Sequence, residues 1–329
     1  MSRLCEVVIS DNFDSFSSYW VQTSRSSMWN CIFVLPPWLK AWWQEFGQRA
    51  NLYLASVLSD GALIGAAPLL LKDGEASFIG SADVCDYLDF IVFPGREVEF
   101  FTTLLDDLKD KGVDRLNLQP LRPDSTVLSH LLPLVQNLKY DFACEMADVS
   151  SEFSLPHTWE GYLAALSQKH RHELRRKLRR LQEAGNVNYC VIEDWENISR
   201  SMPLFLRLFR ESREDKASFL TDQMERFLTA LIRGMAEAGL ARLGILELNS
   251  SPAAAVLCFD YNNTVFLYNN GYDPRYSSLS VGSICKALCI KDSIGKGRSK
   301  FDFLKGAEEY KHHMGGREVN LCVFRASLG

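Results

Sequence analysis

The chain has 329 residues, 47% hydrophobic and 23% charged, with a formal net charge of −5, the make-up of a globular protein of about two domains. No apolar run approaches the ~18–20 residues of a membrane span. The opening MSRLCEVVISDNFDSF lacks a basic region followed by an apolar stretch, so a cytoplasmic protein is expected. The nine cysteines form no C-x-x-C pair, and the histidine pairs 170/172 and 312/313 repeat at no ligand spacing, which argues against a disulfide framework or a metal site.

PPWLKAWWQEFG (36–47) reads as a helix entered through prolines and stopped by Gly47. A β-meander follows. LYLASVL, ALIGAAPLLL, EASFIG and YLDFIVF are short apolar runs, the first three separated by turn residues at 59–61 and 73–74. EVEFFTTLLDDLKDKG (97–112) has helical spacing and ends in glycine, and VDRLNLQ is a strand. Three helical stretches come next: Trp159 to about Ala184, WENISRSMPLFLRLFRESRED (195–215) and DQMERFLTALIRGMAEAG (222–239).

The meander then recurs as LARLGILEL, AAAVLCFD and TVFLYN, with turns at 249–252 and 262–263. After it come a loop, the helical pattern SVGSICKALCIKDSIGKG (280–297) and the strand KFDFL. DLKDKGVDRLNL (107–118) aligns with DSIGKGRSKFDF (292–303) at a constant offset of 185, matching Asp107 with Asp292 and Gly112 with Gly297. The repeated order makes a duplicated α/β unit the preferred reading over two segments alike by chance. The predicted domains are 1–150 and 151–329.

Charge is divided unevenly between them. Residues 1–150 carry 11 Lys+Arg against 20 Asp+Glu, and the remainder 25 against 21, so an anionic ligand is expected on the second half. Three stretches there could carry chemistry. YNNGYDPRYSSLSVGS (268–283) leads into a helix start, where unpaired N–H groups and the helix dipole favour an anion. Ser280 would cap that helix, Gly282 would let a ligand approach the backbone, and Ser283 would offer a hydroxyl, with Val281, Ile284 and Leu288 facing the core. A capped turn and a phosphate cradle both fit these residues. QKHRHELRRKLRRL (168–181) holds seven Lys/Arg between 169 and 180 against Glu173, with Leu174, Leu178 and Leu181 as its inward stripe. A solvated helix face and a phosphate-capturing face centred on Arg171 and Arg175 are both open. FDFLKGAEEYKHHMGG (301–316) gathers Asp302, Lys305, Glu308, Glu309, Tyr310 and Lys311 at a strand end, either as a charged turn or as acid–base machinery. No G-x-S-x-G, P-loop, G-x-G-x-x-G or H-E-x-x-H motif is present.

The meander, the turn, the helix and the following strand stand in the order of the GNAT acyltransferase fold. PPWLKAWWQEFG, LIGAAPLLL, LSQKHRHELRRKLRRLQEAG, YNNGYDPRYSSLSVGS and FDFLKGAEEYK, in that order, resemble the bacterial acetyltransferases of the CelD-like (cellulose biosynthesis) family. That resemblance implies an α/β (α+β), tandem GNAT-like fold, two mixed β-sheets flanked by helices, related to the Fem-type aminoacyl transferases. It implies a degenerate first unit, a catalytic second unit, and transfer of an acyl group from acetyl-CoA or another acyl-CoA, with no metal. The donor would lie against Ser280, Val281, Gly282 and Ser283. The acceptor would be a small molecule or a nucleotide-sugar in envelope or exopolysaccharide metabolism, held by Tyr268, Asn270, Arg171 and Arg175. Asp302 would be the base, Tyr310 the acid, and Lys311, which matches a functional lysine of the Fem-type enzymes, the electrostatic stabiliser. An aminoacyl-tRNA donor and a non-catalytic binding protein are the alternatives; DNA is not an expected partner.

Overall fold

The computed structural model describes residues 5–23, 28–81 and 83–329. The chain divides into two compact units, residues 1–149 with 319–329, and residues 150–318. In chain order the elements are β1 (Cys5–Ser10), α1 (Asp14–Thr23), α2 (Pro36–Phe46), β2 (Asn51–Ser59), β3 (Ala62–Lys72), β4 (Glu75–Phe78), β5 (Ile91–Val92), α3 (Glu97–Asp110), β6 (Arg115–Leu121), α4 (Leu132–Asn137) and β7 (Phe142–Ser154). They continue with α5 (Trp159–Ala165), α6 (Gln168–Ala184), β8 (Val187–Ile192), α7 (Trp195–Ser212), α8 (Glu214–Phe219), α9 (Asp222–Glu237), β9 (Ala241–Leu248), β10 (Ser251–Tyr261), β11 (Thr264–Tyr272), α10 (Val281–Gly295), β12 (Lys300–Lys305), α11 (Glu309–His313) and β13 (Arg317–Ser327).

The strand order of the first unit is β1-β2-β3-β4-β6-β13, with β5 on β3. That of the second is β8-β9-β10-β11-β12 followed by the end of β7. Both sheets are mixed. The hairpins close through two-residue turns with positive φ at both central residues: Asp60-Gly61, Asp73-Gly74, Asn249-Ser250 and Asn262-Asn263. Asn, Asp and Gly tolerate that conformation, and its twist matches the strands. The third meander strand then pairs in parallel with the strand after the helix. Glu75, Ala76 and Ser77 face Arg115, Leu116 and Asn117, and Thr264, Val265 and Phe266 face Lys300, Phe301 and Asp302. Such a parallel pair needs a crossover, which α3 and α10 supply.

Each unit is finished by a strand from elsewhere in the sequence. β13 pairs with β6 antiparallel, setting Cys322 opposite Leu121 and Ser327 opposite Arg115, so the last strand completes the first unit. The end of β7 pairs with β12 and completes the second.

The second core forms where α10 and α6 lay apolar faces on the sheet. Val281, Ile284, Ala287 and Ile290 of α10 pack with Leu174 and Leu181 of α6, Leu246, Val256, Val265 and Phe301. Burying each such leucine or isoleucine contributes ~1.5–3 kcal/mol. Leu178 is only partly buried, so the inward stripe of α6 is narrower than its leucines suggest.

Candidate active site

β11 and β12 pair at only three positions, yet β11 runs on to Tyr272 and β12 to Lys305, so the strands separate at their C-terminal ends. Two irregularities part them. β11 bulges at Tyr268, where the register on β10 passes from Leu267 to Asn269. β12 bulges after Asp302, so that Phe303 and Leu304 together face one residue of β7, and Leu304 takes a left-handed φ of 64°. A bulge of this kind ends pairing and bends the strand.

Asp302 holds that bulge. Its Oδ1 accepts the Leu304 N–H at 2.7 Å and the Ser150 hydroxyl at 3.4 Å, and the residue is 1% exposed. Asp302, expected as the general base, spends its Oδ1 on this backbone bend. Lys311, expected as the electrostatic stabiliser, also turns its amine to the backbone. It is 2% exposed, and its Nζ donates to the carbonyls of Leu304 at 3.0 Å, Gly306 at 3.1 Å and Lys305, with Glu308 Oε2 at 2.9 Å. A lysine has three N–H donors, and all are engaged in closing the loop after β12.

Tyr310 stands where a proton donor could act. Its ring packs edge-on to Phe303 with centroids 6.1 Å apart, and its hydroxyl has no protein partner among the described residues. Burial pushes the phenol's pKa up, so it stays protonated.

At the head of α10, Ser280 occupies the capping position but adopts a left-handed φ of 57°, and its side chain makes no cap bond. The expected cap is therefore absent. The N–H groups of Val281, Gly282 and Ser283 have no partner among the described residues, at the positive end of a 15-residue helix. The side chain of Val281 is buried, so only its amide is available. Gly282 is small because the ring of Tyr272 lies 3.1 Å from where a Cβ would stand. The preceding turn is built by Asp273, whose carboxylate accepts the Arg275 N–H at 2.9 Å and binds its guanidinium.

The basic helix α6 lies against this turn. Arg180 donates to the Ser278 carbonyl at 3.3 Å, and a cleft of about 60 Å³ opens between α6, α10 and α11. His170, Glu173, Leu174 and Lys177 line one side, one helical face at i, i+3, i+4 and i+7, opposite Ser283, Tyr310, His313 and Met314. Arg171 and Arg175 do not line it; they sit on the neighbouring face, as 3.6 residues per turn requires. At the rim the rings of His170 and His313 are 4.2 Å apart, and burial followed by His313 pushes the His170 imidazole's pKa down.

Tyr268 turns its ring to Phe259, with centroids 5.4 Å apart, and is not among the residues that line the cleft. Asn270 contributes its backbone carbonyl, which accepts Lys216. Lys216 and Lys286 escape sequence reasoning, and Lys177 and the two histidines stand out there only as part of a basic run and of close pairs. Of the first two, only Lys286 left a signal, a lysine inside the apolar run SICKALCI of a core helix.

The first unit differs at the matching place. Glu99 accepts hydrogen bonds from Ser59 and Arg96, and Glu97 accepts the Gly95 N–H at 3.0 Å, so carboxylates surround that helix start. Phe90 fills the space beside β4, 4.9 Å from Phe78 and 5.3 Å from Phe101, and Leu88 donates to the Pro120 carbonyl of β6 at 2.8 Å.

Residues 168–312 match the family model of the acetyltransferase (GNAT) domain. This stretch holds α6, the turn, α10, β12 and Tyr310. The chain is also similar to the crystal structure of FemX, at 12% identity and a TM-score of 0.67 over 97% of this chain and 96% of that one. A conserved protein of unknown function from Bacteroides thetaiotaomicron is similar at 11% identity and a TM-score of 0.62, over 98% and 100%. No curated protein matches by sequence. The architecture is thus α/β and tandem GNAT-like, with an acetyltransferase-type domain in the second unit.

Proposed function

We propose that the second unit transfers an acyl group, in the first instance acetyl, from acyl-CoA to an amine or hydroxyl of a small acceptor. The observation that carries this is the uncapped start of α10, whose three amide N–H groups adjoin a cleft shared by Ser283, Lys177 and Tyr310. Amides at a helix start suit a pyrophosphate, and Lys177 adds a cation. The gap between β11 and β12 gives the donor's thioester arm a path into the sheet, where exposed strand-end backbone can bond an amide-containing chain.

In the transfer, the acceptor's nitrogen or oxygen attacks the thioester carbonyl, and the C–S bond breaks as the new bond forms. The proton leaving the acceptor ends on the departing thiolate. Tyr310, protonated and unpartnered, hydrogen-bonds that sulfur and hands on the proton. With Asp302 committed to the backbone, the acceptor must arrive neutral or lose its proton to water or to an amine in the gap. The first unit serves as a structural, degenerate copy, which its acidic helix start and filled gap support. The resemblance to the CelD-like family supports an acceptor from envelope or exopolysaccharide metabolism.

A second reading, an aminoacyl-tRNA donor as in Fem-type enzymes, is favoured by the seven basic residues of α6 beside the cleft and by the FemX-like fold. Calorimetry separates the two. Acetyl-CoA binding with little salt dependence supports the first. Binding of charged tRNA without coenzyme A, weakening steeply with salt, supports the second. Binding of neither would leave a binding protein on an acyltransferase fold.

A further inference from the structure

Among the described residues, two lysines of the second unit stand outside any ion pair. Lys286, on the second turn of α10, is 8% exposed, and its amine lies over the face of Tyr310, 4.3 Å from the ring centroid. Lys216 of α8 sets its amine on the Asn270 carbonyl, 4.9 Å from the Phe209 ring centroid. Among the described residues neither has a carboxylate at ion-pair distance. Their neighbours do: Arg213 pairs with Asp215 at 2.8 Å and Lys311 with Glu308 at 2.9 Å.

The two amines come from opposite faces of the sheet. A Cβ on Gly271 would strike the backbone of Leu208 and Phe209, so that residue faces α7. Tyr272, the next residue, packs its ring under Gly282 of α10. Successive strand residues point to opposite faces, so α7, which leads into α8 and Lys216, and α10, which carries Lys286, cover different sides. The amines nonetheless lie within electrostatic reach of each other and of Arg213 and Glu308, and Lys216 also of Asp215. The opening between those two faces is the gap where β11 and β12 part.

We propose that the acyl acceptor is anionic and brings a carboxylate or phosphate into this gap, where the Lys286 and Lys216 amines hold it from the two faces of the sheet. This rests on the transferase reading above. A buried ammonium without a counter-ion loses its hydration and gains nothing in return, and burial accordingly holds both amines down to about 8. An anion between them supplies the missing charge in a medium where attraction is strong. The donor's phosphates have their own place at the α10 amides and Lys177, at the cleft, whereas Lys216 lies at the strand end. Fixing the acceptor by a charged group this close to the transferred carbonyl also orients its nucleophile.

The test is calorimetry at 0.15 M salt with inorganic phosphate and with acetate as probes, on protein saturated with desulfo-coenzyme A. At least one anion should bind, and Lys286→Met and Lys216→Met should each weaken it tenfold or more. Both variants should keep desulfo-coenzyme A affinity within twofold and melt at or above the wild type. The tighter anion identifies the acceptor's charged group as phosphate or carboxylate. Binding of neither anion, or unchanged binding in both variants, overturns the proposal. Failure of the wild type to bind desulfo-coenzyme A overturns the donor reading instead, and the anion titration is then read on the free protein.

Discussion

The Nζ of Lys311 lies 3.0 Å from the carbonyl oxygen of Leu304, a residue in the left-handed region at φ 64°. The contact joins α11 to the bulge that Asp302 pins from the other side, so β12 ends in a loop held by one buried cation and one buried carboxylate. Lys311→Met should therefore cost stability, about 3 kcal/mol for backbone carbonyls left without their donor. The urea midpoint at constant slope reports it. Lost turnover with unchanged stability would return Lys311 to a catalytic role.

Tyr310→Phe should do the opposite. Its hydroxyl bonds no protein group among the described residues, so melting should hardly change. Turnover should fall about a hundredfold, the usual size of a lost proton donor, as followed by thiol release from acetyl-CoA. Normal turnover would remove Tyr310 from the mechanism.

Lys286 should leave a signature in stability against pH. Burial depresses its pKa in the folded state to about 8, below the ordinary lysine value of ~10.4. Below pH 8 both states carry the proton and the folded state bears the full cost. Between pH 8 and about 10 the unfolded chain binds more protons, so stability rises by on the order of 2–3 kcal/mol. The groups acting on it are Cys285, Glu308, Lys311 and Arg213. Lys286→Met should flatten the rise measured by chemical denaturation; Lys216, held down to about 8 in the same way, accounts for what is left.

The two faces of α6 should separate under mutation. Lys177→Ala should weaken acetyl-CoA binding about tenfold, since Lys177 lines the cleft beside Ser283. Arg171→Ala and Arg175→Ala should change it less than twofold at 0.15 M salt, where exposed charges away from a ligand contribute little. Equal losses at all three would indicate a broad polyanion surface.

Gly271→Ala should be the most damaging change in the turn region. Its Cβ would lie 2.3 Å from the Phe209 backbone nitrogen, which cannot yield without moving α7. A loss of about 3 kcal/mol is expected. Gly282→Ala meets only the Tyr272 ring at 3.1 Å and should cost less. Thermal unfolding of the two variants checks the order.

The repeat was legible because it is written in period and punctuation. α3 and α10 end at Asp110 and Gly295, and β6 and β12 begin at Arg115 and Lys300, both pairs 185 apart. The matched Asp107 and Asp292 even hold equivalent partners, Tyr53 of β2 and Arg242 of β9. The turn before α10 was legible as a turn, though not the left-handed Ser280 that leaves the helix uncapped. The local geometry of 301–316 was not, because only the fold shows that Asp302 and Lys311 bond the backbone around Leu304. Lys216 gave no sign, since a lysine on a short polar helix is ordinary until a strand end is placed beneath it.

The exchange of closing strands affects the order in which the protein is made. β13 is the last strand synthesised, yet it seals the sheet that began with β1. Everything the second sheet needs, from the end of β7 through β12, has left the ribosome earlier. The second unit can thus complete itself while the first still shows an open edge along β6, so a chain cut short before β13 would damage the first unit.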